Sequence, residues 1–292
     1  MNSSDQLYRY LFRQADVRGE IVQLQDSFKA IIGDHQYPLP IQRLLGELLA
    51  ATSLLTATLK FEGDIAVQLQ SEGVIKYIVV NGTNEQKMRG IARWQGEVPE
   101  GNFSQLFEKG ILAITITPKE GERYQGIVAL DKPSLAECLQ AYFLQSEQLL
   151  TKVILHTRID SSSVCAGGML LQALPASDQN DPAQFEHLGQ LTDTITADEL
   201  FDLSAQDVLY RLYHQEEVEL YPPQSVVFSC GCSKTRSATA LTSVDKQELL
   251  DIVTQEGFVA MHCQYCNTEY RFDAIDIEAI HSCQYDENAL PQ

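Results

Sequence analysis

The longest helical periodicity in the chain runs from Pro40 to Lys60 (PIQRLLGELLAATSLLTATLK). Ile41, Leu45, Leu48, Thr52, Leu55 and Leu59 fall on one face at helical spacing, which predicts a long helix with one apolar side. The period then changes. In EGDIAVQLQSEGVIKYIVVNG, Ile65, Val67 and Leu69 alternate with other residues, Ser71–Gly73 reads as a turn, and a second β-rich run follows. ILAITITPKEGERYQGIVAL repeats the pattern around a turn at Lys119–Glu122. Ser134–Leu149 predicts another helix, because it follows Asp131–Pro133 and is rich in Ala, Leu and Glu. Hairpins and helices without a β-α-β alternation predict an α+β fold rather than a doubly wound sheet. Residues 1–175 are therefore expected to form a core domain of mixed sheet and helix.

The pattern differs beyond residue 175. PASDQNDPAQ is a polar boundary, and Asp181–Pro182 suits a helix start. Thr196-Ala-Asp-Glu199 and Ser204-Ala-Gln-Asp207 fit the pattern of helix caps. Short amphipathic helices are predicted, with Phe185, Leu188 and Leu191 on one and Val208, Leu209, Leu212 and Tyr213 on another. Isolated helices shorter than ~12–15 residues are marginal in water, so these must dock on another surface. Tyr221-Pro222-Pro223 ends the segment, leaving 176–223 as a helical connector. In residues 224–292 a helix is expected over Lys246–Gln255, stopped by Gly257, and another over Ala274–Ile280. Short strands at Phe258–His262 and Thr268–Phe272 flank Cys263-Gln-Tyr-Cys266.

Composition alters this picture mainly through charge. Apolar content of 44% and charged content of 21% are ordinary for a globular chain. The net charge is −19, and it is unevenly spread. Residues 1–175 carry 16 basic against 19 acidic side chains, 176–223 carry one, Arg211, against eleven, and 224–292 carry four against ten. A chain this acidic repels nucleic acid. Crowded negative charge also opposes docking of the connector, which is expected to be folded but weakly held. The first twenty residues lack a basic start followed by an apolar run, and no stretch approaches the ~18 apolar residues of a membrane span. A soluble, cytoplasmic protein with no membrane association is expected.

Seven cysteines in a chain of 292 residues are too sparse for a disulfide scaffold, so clustering points to metal or redox chemistry. Cys230-Gly-Cys232 and Cys263-Gln-Tyr-Cys266 are two close pairs thirty residues apart. Each pair turns two sulfurs toward one point, and the second closes a tetrahedral site from the opposite side. Four thiolates favour zinc or iron–sulfur chemistry. No ferredoxin spacing is present, so one Zn2+ per chain is expected. A segment of fewer than seventy residues with few large apolar side chains needs such a staple. His262 is left out of the ligand set because four cysteines complete it. Cys138 and Cys165 are expected to be buried packing residues, and Cys283 has no assigned role.

Two readings of the cluster stay open on these grounds. One is an inert structural ribbon in a constitutive binding or regulatory module. The other is a redox switch, because residues two or three apart can approach the ~4.4–6.8 Å Cα separation of a disulfide. The four ligand thiolates are also the form that oxidants attack. No phosphate loop, dinucleotide fingerprint, His-Glu-x-x-His or nucleophile elbow occurs, so an enzyme is not expected. An enzyme within 1–175 would require a deep polar pocket with convergent titratable groups.

The arrangement resembles the 33-kDa heat-shock protein family of redox-regulated molecular chaperones. The Cys-x-Cys…Cys-x-x-Cys element follows an acidic helical connector. Val17-Arg-Gly-Glu-Ile-Val-Gln-Leu24 resembles the family's opening strand. Arg43-Leu-Leu-Gly-Glu47 and the run to Leu59-Lys-Phe-Glu-Gly63 resemble its long helix, and Ala166-Gly-Gly-Met-Leu-Leu-Gln-Ala-Leu-Pro175 its glycine-rich strand. The resemblance implies a cytosolic, ATP-independent holdase for unfolding client proteins in the stress response. It implies a zinc-loaded, inactive reduced state. Oxidants would form Cys230–Cys232 and Cys263–Cys266 disulfides, release zinc, unfold the zinc domain (224–292) and the connector, and leave an active homodimer.

Overall fold

The computed structural model describes residues 5–33, 35–59, 62–174 and 182–282. Asp181, Cys283 and most of the polar boundary after Leu174 lie outside the described residues. The chain divides into two compact units, one ending at Ser229 and the other beginning at Cys230.

The first unit opens with the antiparallel hairpin β1 (Gln6–Phe12) and β2 (Val17–Leu24), then α1 (Asp26–Ile32) and the long α2 (Leu39–Thr58). An antiparallel run follows: β3 (Gly63–Gln70), β4 (Ile75–Thr83), β5 (Lys87–Trp94), a single turn α3 (Phe103–Leu106), β6 (Ile111–Pro118) and β7 (Tyr124–Ala129). Both expected hairpin turns lie where the alternation stops, between β3 and β4 and between β6 and β7. Next come α4 (Leu135–Tyr142), β8 (Thr151–Ile159) and β9 (Val164–Ala173). The helix expected to reach Leu149 is α-helical only to Tyr142. It widens into a π-helical turn over Phe143–Glu147 and ends on Gln148 in the left-handed region at φ 55°.

The strands form two sheets, and α2 lies between them. One sheet has the order β10-β1-β2-β9-β8, with β10 (Val218–Leu220) and β11 (Gln224–Ser225) both pairing with β1. The other has the order β12-β5-β4-β3-β6-β7, with β12 (Val227–Phe228) joining β5 in parallel. α2 packs on β2, β8 and β9 from one side and on β3, β4 and β5 from the other. The one-sided helix expected from spacing is therefore buried almost all round: Leu44, Leu49, Ala51 and Leu54 are as inaccessible as Ile41, Leu45 and Leu48. Its buried hydroxyls are satisfied locally. Thr52 and Thr56 donate to the carbonyls of Leu48 and Thr52 at 2.7 and 2.6 Å, and Ser53 donates to Gln86 Oε1 at 2.7 Å.

The opposite face of the first sheet carries the connector helices α5 (Pro182–Thr192), α6 (Ala197–Asp202) and α7 (Ala205–Tyr213). Strand alternation puts Tyr10, Phe12, Val17, Ile21, Met169 and Leu171 on this face. They form one buried cluster with Leu188, Leu200, Val208, Leu209, Leu212 and Tyr213. The Tyr10 ring lies across Gly19, where a Cβ would meet its Cζ at 2.1 Å, so only glycine fits opposite that tyrosine. Thr196 and Ser204 cap α6 and α7 as their spacing predicts, accepting from the N–H groups of Glu199 and Asp207.

Three of the connector's acidic residues, Asp193, Asp198 and Asp202, find cations on β8. Lys152 pairs with Asp193 at 2.7 Å. Arg158 grips Asp202 through two bonds of 2.6 and 3.1 Å, reaches Asp198 at 3.4 Å and stacks over the Phe201 ring at 5.3 Å. Gln23 adds hydrogen bonds to the Leu200 and Leu203 carbonyls at 2.6 and 2.8 Å. Charge counting along the chain missed this pairing, because the cations come from a strand thirty or more residues earlier. The sequence also placed the start of the C-terminal domain at residue 224. Residues 224–229 remain on the first unit, where β11 and β12 pair with β1 and β5.

The second unit consists of α8 (Lys234–Leu241), α9 (Lys246–Glu256), the hairpin β13 (Val259–His262) and β14 (Glu269–Phe272), and α10 (Ala274–His281). Gly257 ends α9 at φ 88°, a left-handed stop that a side chain would strain. Its core is small: Ala238, Leu241, Leu249, Val259, Phe272, Ile277 and Ile280.

Candidate metal centre

The four cysteines come from two loops of the second unit. Cys230 and Cys232 lie just before α8, whose first turn is capped by Ser233 accepting from the Arg236 N–H. Gly231 between them adopts φ 63°, and its carbonyl accepts from Arg236 Nη1 at 2.6 Å, which fixes the Cys-x-Cys turn. Cys263 and Cys266 occupy the β13–β14 turn. There the Cys263 N–H donates to the Thr268 carbonyl and the Asn267 N–H to the Cys263 carbonyl, both at 2.9 Å, with Asn267 left-handed at φ 55°.

These turns converge. All four Sγ atoms lie within 4.8 Å of one another. The shortest approaches run between the pairs: Cys230 to Cys263 at 3.3 Å and Cys232 to Cys266 at 3.4 Å. Each is far longer than the ~2.05 Å of a disulfide, and all four are free thiols. A tetrahedron with metal–sulfur bonds of about 2.3 Å has edges of about 3.8 Å, so the separations suit a tetrahedral ion. The donor set can hold a metal ion and is compatible with zinc.

Hydrogen bonds to sulfur fit the same reading. The Cys232 N–H donates to Cys230 Sγ, and Cys266 Sγ receives both the N–H and the hydroxyl of Thr268, the latter at 3.1 Å. The Tyr270 hydroxyl donates to Cys232 Sγ at 3.0 Å. Left to themselves, the sulfurs disagree about ionising. Burial first, then hydrogen bonds with the neighbouring sulfurs, pushes the Cys230 thiol up. Burial also raises Cys232, against the bond from Tyr270. At Cys266 burial is outweighed by the Thr268 and cysteine hydrogen bonds, which bring it down to about 6. A divalent ion removes the conflict by holding every ligand as thiolate.

The remaining candidates lie elsewhere. His262 is exposed and pairs with Glu269 at 3.3 Å, outside the sulfur cluster. Cys138 is fully buried in α4, and Cys165 is buried on β9 with its Sγ 3.1 Å from Ser163 Oγ. Sequence reasoning missed Thr268 and Tyr270. Thr268 lies two residues from its partner Cys266, whereas Tyr270 meets Cys232 only through the fold, 38 positions away.

A cleft of about 640 Å3 in the first unit is lined by Arg9, Arg18, Glu20, Thr58 and Tyr221 among others, and no Ser, Cys or His lines it among the described residues. Burial pushes the Glu20 carboxyl up to about 7, against the opposing charges of Arg18 and Arg9. Its Oε2 has no hydrogen-bond partner. No helix among the described residues is long and apolar enough to cross a membrane.

The family model described as Hsp33 protein matches residues 5–273. A relative from Pseudoalteromonas atlantica named 33 kDa chaperonin is 61% identical over 285 residues, covering 96% of each chain. One of the same name from Photobacterium profundum is 56% identical over 280 residues, again covering 96% of each. The crystal structure of the 33 kDa chaperonin from Thermotoga maritima superposes with a TM-score of 0.82, covering 96% of this chain and 99% of that one. At 22% identity it bears on the fold alone. Matched by a family model over nearly its whole length and by relatives more than half identical, this chain belongs to the Hsp33 family.

Proposed function

We propose that this protein is a redox-regulated, ATP-independent holdase, kept inactive by zinc on Cys230, Cys232, Cys263 and Cys266 and activated when oxidation removes those ligands. Membership of a family whose relatives are named 33 kDa chaperonin supports the chaperone function itself. The redox step rests on one observation above the others: four free thiols drawn together in a unit with only seven buried apolar residues among those described. Structural zinc contributes apparent binding energy on the order of 10–16 kcal/mol in small peptides at neutral pH. A unit this poor in core depends on that energy to stay folded.

Oxidation converts ligands into disulfides, and the proposed pairing is Cys230–Cys232 and Cys263–Cys266. Sulfurs of opposite pairs are the nearer neighbours while the site is assembled. Once it opens, the short separations within each pair favour local closure, because loop-closure entropy grows with the length of chain enclosed. Unfolding then extends along the chain into the connector. Release of α5–α7 uncovers Tyr10, Phe12, Val17, Ile21, Met169 and Leu171, together with the apolar sides of the helices. A contiguous apolar surface flanked by charge holds an unfolding client while staying soluble. In this reading the active form is a cytoplasmic homodimer, and the protein is not an enzyme.

The test is aggregation of a heat-unfolded client. Peroxide-treated, zinc-free protein is expected to suppress light scattering at near-stoichiometric amounts, and the reduced zinc form to leave it unchanged. Equal scattering with and without the oxidised protein rejects the holdase. Zinc retained after complete oxidant challenge rejects the switch and leaves a constitutive zinc module.

A further inference from the structure

Two side-chain hydroxyls face one edge of the sulfur cluster. Cys232 and Cys266 are the second cysteines of their pairs, and their Sγ atoms lie 3.4 Å apart. A side-chain hydroxyl reaches each: Tyr270 to Cys232 at 3.0 Å and Thr268 to Cys266 at 3.1 Å. Thr268 immediately precedes β14 and Tyr270 lies on it, and the two hydroxyls reach the two sulfurs of the same edge. A ligand thiolate has no proton to give, which makes each hydroxyl the donor.

We propose that Tyr270 and Thr268 are positioning residues that set the oxidation threshold of the cluster, by hydrogen-bonding the Cys232–Cys266 edge and making those thiolates slower to react with peroxide. This rests on the metal reading of the four cysteines. The reaction begins when a thiolate attacks peroxide: an S–O bond forms, the O–O bond breaks, and hydroxide leaves. A second thiolate then attacks the sulfenic sulfur, forms the S–S bond and expels a second hydroxide. Two solvent protons convert both hydroxides to water, so two thiolates are oxidised and one peroxide is reduced.

Only the nucleophilicity of sulfur is adjustable here. A cysteine already held as thiolate cannot gain reactivity by further ionisation, and a hydrogen bond that stabilises its charge lowers its nucleophilicity. The same bond orients the sulfur and holds it as thiolate against competing protons, which supports metal retention. Removing a donor therefore weakens retention and speeds attack, two effects of one sign. Tyr270 is half-buried and its ring packs on the small core, so the hydroxyl is separable from the packing.

The experiment uses the full chain, zinc-loaded and reduced, with Tyr270→Phe and Thr268→Val. Zinc released by a fixed peroxide dose is followed with a chromogenic chelator, and zinc affinity is measured by chelator competition. Each variant is expected to bind zinc roughly tenfold more weakly and to release it several-fold faster. Quenching early with an alkylating agent and mapping the peptides should show oxidation appearing first at Cys232 in Y270F and at Cys266 in T268V. A purely structural role for the tyrosine would not produce that shift. Thr268 is exposed, so T268V carries the test if Y270F fails to fold. Zinc-loaded variants with wild-type affinity, release rate and order of oxidation overturn the inference. A wild-type chain that takes up no zinc overturns the metal reading instead.

Discussion

The two units of this chain are stabilised in opposite ways. Residues 5–229 distribute their stability over two sheets, a helix buried between them and a second apolar layer under the connector. Residues 230–282 bury seven apolar side chains and bring four sulfurs to one point. A distributed core loses stability gradually, because each truncated side chain costs only its own share of burial. A unit stapled by one ion loses its support in a single event. In the holdase reading this difference lets one protein be both durable and triggerable: the durable part would carry the apolar surface, and the fragile part the chemistry.

The largest effect expected from this contrast is that of metal removal. Chelation of the reduced protein should abolish the hydrogen-exchange protection of α8–α10 and β13–β14 while protection of α2 and β3–β6 persists. If zinc staples the second unit, the apparent loss there is on the order of 10 kcal/mol. Equal loss in both units would end the comparison.

A smaller test addresses a weak point within the durable unit. Glu20 is 1% exposed and its carboxyl titrates at about 7 in the folded chain, against an ordinary value of 4.5. Below pH 4.5 the group is protonated in both states and costs nothing. Between 4.5 and 7 the folded state holds the extra proton, so stability falls as pH rises, and above 7 the whole penalty is present. Glu20→Gln should therefore stabilise the protein at pH 8 by on the order of 2–3 kcal/mol, with the gain vanishing near pH 4.5. Denaturant melts at the two pH values measure it, and a gain independent of pH would assign it to another cause.

The smallest effect sharpens the boundary between durable and releasable parts. Arg158→Ala removes the paired contact with Asp202, the contact with Asp198 and the stack on Phe201. Exposed ion pairs contribute little, so a loss of about 1 kcal/mol is expected. It should be confined to the connector: faster amide exchange over α6 and α7, unchanged exchange in β3–β6. In the holdase reading the variant also activates at a lower oxidant dose. Unaltered exchange in α6 and α7 would show that the apolar contacts alone hold the connector.

Local signals in the sequence proved dependable where the physics is local. The β3–β4 and β6–β7 hairpins, the caps at Thr196 and Ser204, the Gly257 stop and the β13–β14 strands all depend on residues within a few positions of each other. Other elements went unseen. β1, β5 and β8 have mixed patterns, because strands whose neighbours and covering layers differ along their length do not alternate cleanly. The helix expected to reach Leu149 failed at Tyr142, where a π-helical turn takes over.

By itself the sequence determined the two close cysteine pairs, their two tight turns, the amphipathic helices after residue 181 and the α+β class. Each follows from spacing, and spacing along a chain is short-range geometry. Only the tertiary structure decided the rest. It buried α2 on both sides, paired the acidic connector with Arg158 and Lys152, kept residues 224–229 on the first unit, and brought the Tyr270 hydroxyl to Cys232. Those outcomes depend on which distant residues meet, and no local pattern encodes a partner thirty or more positions away.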